Sequence, residues 1–100
     1  MTNPKIYVGT IGADLEILSH ADLVTGVSSV VINVRTPGGR EVTWTPDSSD
    51  ATGVISYRLQ PGDLDEAGTY SLQPVANMTD GAVWPLGAAE WYVYRRFEVQ

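Results

Sequence analysis

The 100-residue chain has no cysteine, one histidine, one phenylalanine and six lysines and arginines in total. Without cysteine there is neither a disulfide nor a thiolate metal ligand, so the fold must be held by its core alone, which suits maturation in a reducing compartment. The lone His20 lies in the polar stretch SHAD, where an exposed loop residue is the expectation. A Ser-His-Asp triad would have to use it with a serine that no Gly-x-Ser-x-Gly elbow supports, and there is no phosphate-binding glycine loop. No catalytic, cofactor-binding or metal-binding set emerges, and the chain reads as a non-enzyme.

Positive charge is scarce as well. Twelve acidic against six basic residues give a net charge of -6, split evenly with six acids and three bases in each half. That balance opposes contact with phosphate backbones, and Arg95-Arg96, the only basic cluster, is too small for a nucleic-acid footprint; it suits a solvated strand edge or one salt-bridge partner. No apolar run approaches a membrane span, and the opening MTNPKIYVG lacks the apolar stretch of a secretory signal. The expectation is a protein made in a cytoplasm, with no nucleic-acid or membrane partner. The sequon Asn77-Met78-Thr79 is then a chance match.

What is present is a pattern of short strands. With 43% hydrophobic residues, 18% charged residues and ten glycines, residues 1–100 have the composition of one compact domain rather than a disordered chain. KIYVG at 5–9 and DLEIL at 14–18 read as strands broken by Gly9 and Gly12, and SVVINVR at 29–35 reads as a central strand from its β-branched, near-continuous apolar character. TPGG at 36–39 predicts a turn that folds EVTWT at 41–45 back as a hairpin partner. In VISYRL at 54–59 the alternation places Ile55, Tyr57 and Leu59 inward. DLDEA at 63–67 predicts a single helical turn stopped by Gly68. Pro74 denies a ladder donor, which predicts an edge or a bulge, and Asp80-Gly81 signals a hairpin. Strands about ten residues apart with turn punctuation predict a β-sandwich or barrel.

The stretch DEAGTY at 65–70 sharpens this. In immunoglobulin-like sandwiches a tyrosine near the start of one strand bonds back to the backbone a few residues upstream and closes a corner. Here Tyr70 is available for that bond, Gly68 lets the chain turn, Ala67 packs without bulk, and Glu66 stands where aspartate is usual. Leu72 occupies the position of the second cysteine in antibody domains, so an apolar pair such as Leu72 with Ile32 is expected to fill the place of the disulfide, with Trp44 as the core tryptophan between the sheets. The carboxylates Asp63, Asp65 and Glu66 lack calcium-loop spacing and suit turn and cap duties, while Asp47 and Asp50 suit a solvated loop. The fold expected is an all-β, immunoglobulin-like antiparallel β-sandwich without a disulfide.

Most of the chain also resembles the small immunoglobulin-like proteins of tailed bacteriophages, including the N-terminal domain of siphophage upper-baseplate proteins. The residues that carry the resemblance are Asp22, Leu23 and Gly26, then Pro37 and Gly39, then Leu59, Asp63, Leu64, Gly68 and Tyr70. Val24 adds a residue to the family's opening, and Gly38 replaces its hairpin aspartate. The resemblance implies a virion protein made in the host cytoplasm, partnered by other virion structural proteins of capsid, neck or baseplate, and it allows a homo-oligomer. Capsid decoration is favoured, because the chain lacks the helical extension that baseplate proteins use to trimerise. The alternative is a carbohydrate- or protein-binding adhesion module.

The aromatic surplus near the C-terminus is the candidate partner interface: Trp84, Trp91, Tyr92, Tyr94 and Phe97. A strand points only alternate residues inward, so either Trp91 and Val93 face the core with Tyr92 and Tyr94 outward, or the reverse. Aromatic side chains at a surface remove large area from water at low entropic cost, which makes them typical interface anchors. The competing reading is that the loop over 78–89 folds over them and hides both faces. In the docking reading, the strand from Trp91 to Val99 with Trp84 beside it supplies the contact.

Overall fold

The computed structural model describes residues 6–97. Nine strands follow in chain order: β1 (Ile6–Tyr7), β2 (Asp14–Leu18), β3 (Val27–Arg35), β4 (Glu41–Trp44), β5 (Ser48–Ser49), β6 (Val54–Arg58), β7 (Gly68–Met78), β8 (Val83–Pro85) and β9 (Ala89–Tyr94). They form two sheets. The larger has the order β1-β9-β7-β3-β4, with β8 also on β7, and the smaller has the order β2-β6-β5. Every pairing is antiparallel except that of β1 with β9. The result is an all-β, immunoglobulin-like sandwich with no disulfide.

Alternation builds the core. On β3, Val30, Ile32 and Val34 point inward; on β6, Ile55 and Tyr57 do so, followed by Leu59. Tyr70, Leu72 and Ala76 of β7, Val93 of β9, Trp44 of β4 and Ile17 of β2 complete one continuous cluster between the sheets. Trp44 and Tyr57 stack across the gap with ring centroids 4.9 Å apart and planes 11° apart. Offset-stacked rings of this kind add to the free energy of the area they bury.

Two expectations about local structure are corrected. Residues 63–67 form no helix. Residues 61–64 make a turn, because the Asp63 carboxylate accepts from the Gln60 N–H (2.7 Å) and from the Tyr57 hydroxyl, while Leu64 is drawn into the core. Pro74 marks neither an edge nor a bulge: it is buried in β7, the strand between β3 and the β8–β9 pair. β9 pairs with β7 up to Leu72, and β8 pairs from Val75 onward, so Pro74 sits where one partner strand has ended and the next has not begun. Its carbonyl accepts from the Leu86 N–H (2.8 Å), and on that side no donor is required of it.

The last strand is shorter than its sequence suggests. It ends at Tyr94, and Glu98 and Val99 of the expected run lie outside the described residues.

Candidate functional site

At one end of the sandwich the DEAGTY stretch is tied down on every side. The Tyr70 hydroxyl donates to the Glu66 carbonyl (3.1 Å) and accepts from the Glu66 N–H (3.2 Å), which closes a corner four residues upstream. Burial pushes the Tyr70 hydroxyl above its ordinary pKa. Gly68 has φ +126°, and a Cβ there would stand 2.9 Å from Cβ of Pro37, so neither the backbone nor the space admits a side chain. The Glu66 carboxylate accepts from the Gly38 N–H (2.9 Å), and Arg40 pairs with Asp65 (3.3 Å), so the corner is pinned to the β3–β4 hairpin. The ion pair is largely solvated and adds little stability of its own. This end has structural work to do and presents no ligand site.

The flank of the sandwich is different. The larger sheet is wider than the smaller by its outer strands, and the overhang leaves a cleft of about 460 Å³ between β2 and the start of β9. Leu15, Ile17, Leu72, Ala89 and Trp91 line it, and Glu16, His20 and Glu90 stand among the polar residues of its lining. The end of β2 is fixed by Ser19, whose N–H (2.8 Å) and hydroxyl (2.9 Å) both donate to the Gly53 carbonyl. A Cβ at Gly53 would lie 2.7 Å from the backbone nitrogens of His20 and Ala21, so glycine is required for this approach. His20 then turns the chain away with φ +59°.

Beside the cleft, β2 has no strand partner on its outer side among the described residues. Leu59 N–H bonds to Ala13 O and Ser19 N–H to Gly53 O, so by the alternation of an antiparallel ladder the intervening Leu15 and Ile17 are the residues bonded to β6. The N–H and C=O groups of Asp14, Glu16 and Leu18 therefore point to the open edge. On β9 the Tyr94 carbonyl accepts from Val8 N–H toward β1, so Glu90, an even number of residues earlier, also directs its backbone away from β7. Among the described residues, β1 covers β9 only at Val93 and Tyr94.

The residues expected at a partner interface do not form one patch. Trp91 and Val93 face inward; Val93 is fully buried and Trp91, half-buried, forms a wall of the cleft. Tyr92 points outward and is 47% exposed. Tyr94, half-buried, packs between Tyr92 (4.7 Å between ring centroids) and Tyr7 (5.8 Å). Trp84 is in register with Ala76, on the face that bears the core, yet is 60% exposed: β8 makes its contacts with β7 and lies beyond the reach of the smaller sheet. Phe97 follows β9 at 89% exposure, with the Arg96 guanidinium 5.6 Å from its ring.

The expected pairing of Leu72 with Ile32 is also corrected. Both lie on neighbouring strands of the same sheet, where Leu72 registers with Val34 and Ile32 with Pro74. Across the sandwich Leu72 shares the cleft with Leu15 and Ile17. The cleft residues of β2 were overlooked in sequence because DLEIL reads only as one half-buried strand. Its status as an edge beside a wider sheet is a property of topology. Asp47 and Asp50 likewise do more than solvate a loop: Asp47 accepts from Arg58 N–H (2.6 Å), and the Thr52 hydroxyl and Val54 N–H hold the Asp50 carboxyl below its ordinary pKa.

No protein-family model matches the chain, and no curated protein matches it. Among solved structures the chain is similar to CopC from Methylosinus trichosporium OB3b, with a TM-score of 0.56 and 15% identity over 98% of this chain and 91% of that one. That neighbour is not a virion component, and nothing in the comparisons points to a bacteriophage protein, so the expected role in docking on a virus particle is set aside. At 15% identity the likeness concerns the fold alone. The chain has one histidine and no cysteine, and among the described residues no three His, Cys, Asp or Glu side chains are grouped to hold a metal.

Proposed function

We propose that the protein is a non-catalytic interaction module whose ligand site is the cleft between β2 and β9. The observation that carries this reading is the coincidence of an apolar cleft, an aromatic wall at Trp91 and the open edge of β2, which has no further strand partner among the described residues. Binding sites are concave and mostly apolar, with a few polar groups that fix orientation, and an open strand edge offers a row of donors and acceptors to a partner. The Ser19 hydroxyl, next to His20 in the lining, donates to the Gly53 carbonyl rather than to His20, which sits on the turn that ends β2.

Selection of a displayed random-peptide library on the folded protein tests this reading. Enriched peptides are expected to lose binding to Ala89→Trp, which fills the cleft at an exposed position, and to keep binding to Trp84→Ser, which lies on another strand. Failure to enrich any peptide, or binding indifferent to Ala89→Trp, overturns the proposal.

A further inference from the structure

The smaller sheet has three strands and ends at β2, while below it the larger sheet continues outward through β9 to β1. Strands within a sheet are about 4.8 Å apart. An extended chain laid along β2 at that spacing would continue the smaller sheet over the inner face of β9, where Trp91 is partly exposed. The backbone groups of Asp14, Glu16 and Leu18 already point into that space, and its floor is apolar through Leu15, Leu72 and Ala89. The flanking charges are of one sign: Glu16 on β2 and Glu90 on β9 line the cleft, on a chain of net charge -6.

We infer that the cleft takes an extended peptide of alternating apolar and basic residues, which adds to the smaller sheet as a fourth strand along β2. This rests on the cleft being the ligand site and goes further, to the shape and charge of the ligand. Alternate side chains of an added strand point to opposite faces, so one set covers Trp91 and Leu72 while the other faces outward beside Glu16, with Glu90 adding to the negative field of the opening. Main-chain hydrogen bonds to Asp14, Glu16 and Leu18 supply affinity, and the acidic rim supplies selectivity and a faster encounter. A second copy of the chain is disfavoured as the occupant, because its own β2 edge carries Asp14 and Glu16 and would bring like charges together.

The test uses the full chain and a short acetylated, amidated peptide of alternating lysine and valine. Saturable binding is expected by nuclear magnetic resonance titration, with new hydrogen-exchange protection at the Glu16 and Leu18 amides. A version of the peptide N-methylated at alternate residues, on the edge that would bond to β2, is expected to lose binding, and one with glutamate in place of lysine to bind at least about tenfold more weakly. Combined Glu16→Lys and Glu90→Lys substitution, both at exposed positions, is expected to weaken the lysine peptide about tenfold and favour the glutamate peptide. Absence of binding by the lysine peptide overturns the inference. So does binding that ignores N-methylation or leaves those amides unprotected. Protection of the same amides in a dimer without peptide would make the second copy the occupant and overturn it too. Each of these outcomes leaves the cleft itself to be judged by the library selection.

Discussion

The two flanks of this sandwich are finished differently. Where β4 lies against β6, Trp44 stacks on Tyr57 and is 5% exposed; the nearby corner locks Tyr70 to the Glu66 backbone and ties Glu66 to the β3–β4 turn. Where β2 lies against β9, the second tryptophan of the interior, Trp91, is half-buried beside a cleft, and the outer edge of β2 has no strand partner among the described residues. The same alternating pattern generates both. The difference comes from the number of strands in each layer, since a narrower sheet covers a wider one on one flank and leaves it open on the other. One flank of the core is thus sealed and the other left open.

The largest expected effect tests the closed flank. Trp44→Ala removes a buried ring and its stacking partner and is expected to cost about 3–5 kcal/mol in chemical denaturation. A cost near that of an exposed substitution would break the comparison. At the corner, Tyr70→Phe leaves the Glu66 N–H and C=O without their partner and is expected to cost about 1–3 kcal/mol with the fold intact. An unchanged denaturation midpoint would show that the corner bears no stability.

Alkaline unfolding sharpens the same flank. The Tyr57 hydroxyl is pushed above its ordinary value of 10.0, chiefly by burial and then by its hydrogen bond to Asp63. The folded state therefore holds this proton more tightly than the unfolded chain. The resulting stabilisation is complete below pH 10 and is lost as pH rises from there toward the folded value. Tyr57→Phe is expected to flatten the loss of stability above pH 10, read as melting temperature against pH; an identical profile would remove Tyr57 from the account.

On the open flank, Trp91→Ala is expected to cost less than Trp44→Ala, about 1–2 kcal/mol, since part of the ring is already in contact with water. A loss equal to that of Trp44→Ala would mean that the flank is closed in solution. The smallest effect is expected at Trp84→Ser, within about 0.5 kcal/mol, because its ring is mostly in contact with water.

Much of the closed flank was legible in the sequence. The inward set Ile55, Tyr57 and Leu59 follows from period-two alternation, and Trp44 follows from a short strand behind a Pro-Gly-Gly turn. The helical turn at 63–67 was misread because Asp63, a good first-turn residue, spends its carboxylate on Gln60 and Tyr57 instead. Pro74 was misread because a proline is excluded from a central strand only where a donor is needed, and where two partner strands meet end to end none is. The open flank was not legible, since DLEIL has the same alternation whether its strand ends a sheet or lies inside one.

The sequence by itself determined an all-β chain without disulfide or thiolate chemistry, the strands and most of their inward faces, and a surface short of positive charge. These follow from local rules, in which residue type and spacing act over a few positions. Only the tertiary structure decided which strands are edges, which of the aromatic residues Trp84, Trp91 and Tyr92 lie beside a cleft, and that Glu16 and Glu90, 74 positions apart in sequence, line the same opening. Those facts depend on how many strands each sheet recruits and how the two layers are offset, and neither is encoded in any single stretch of the chain.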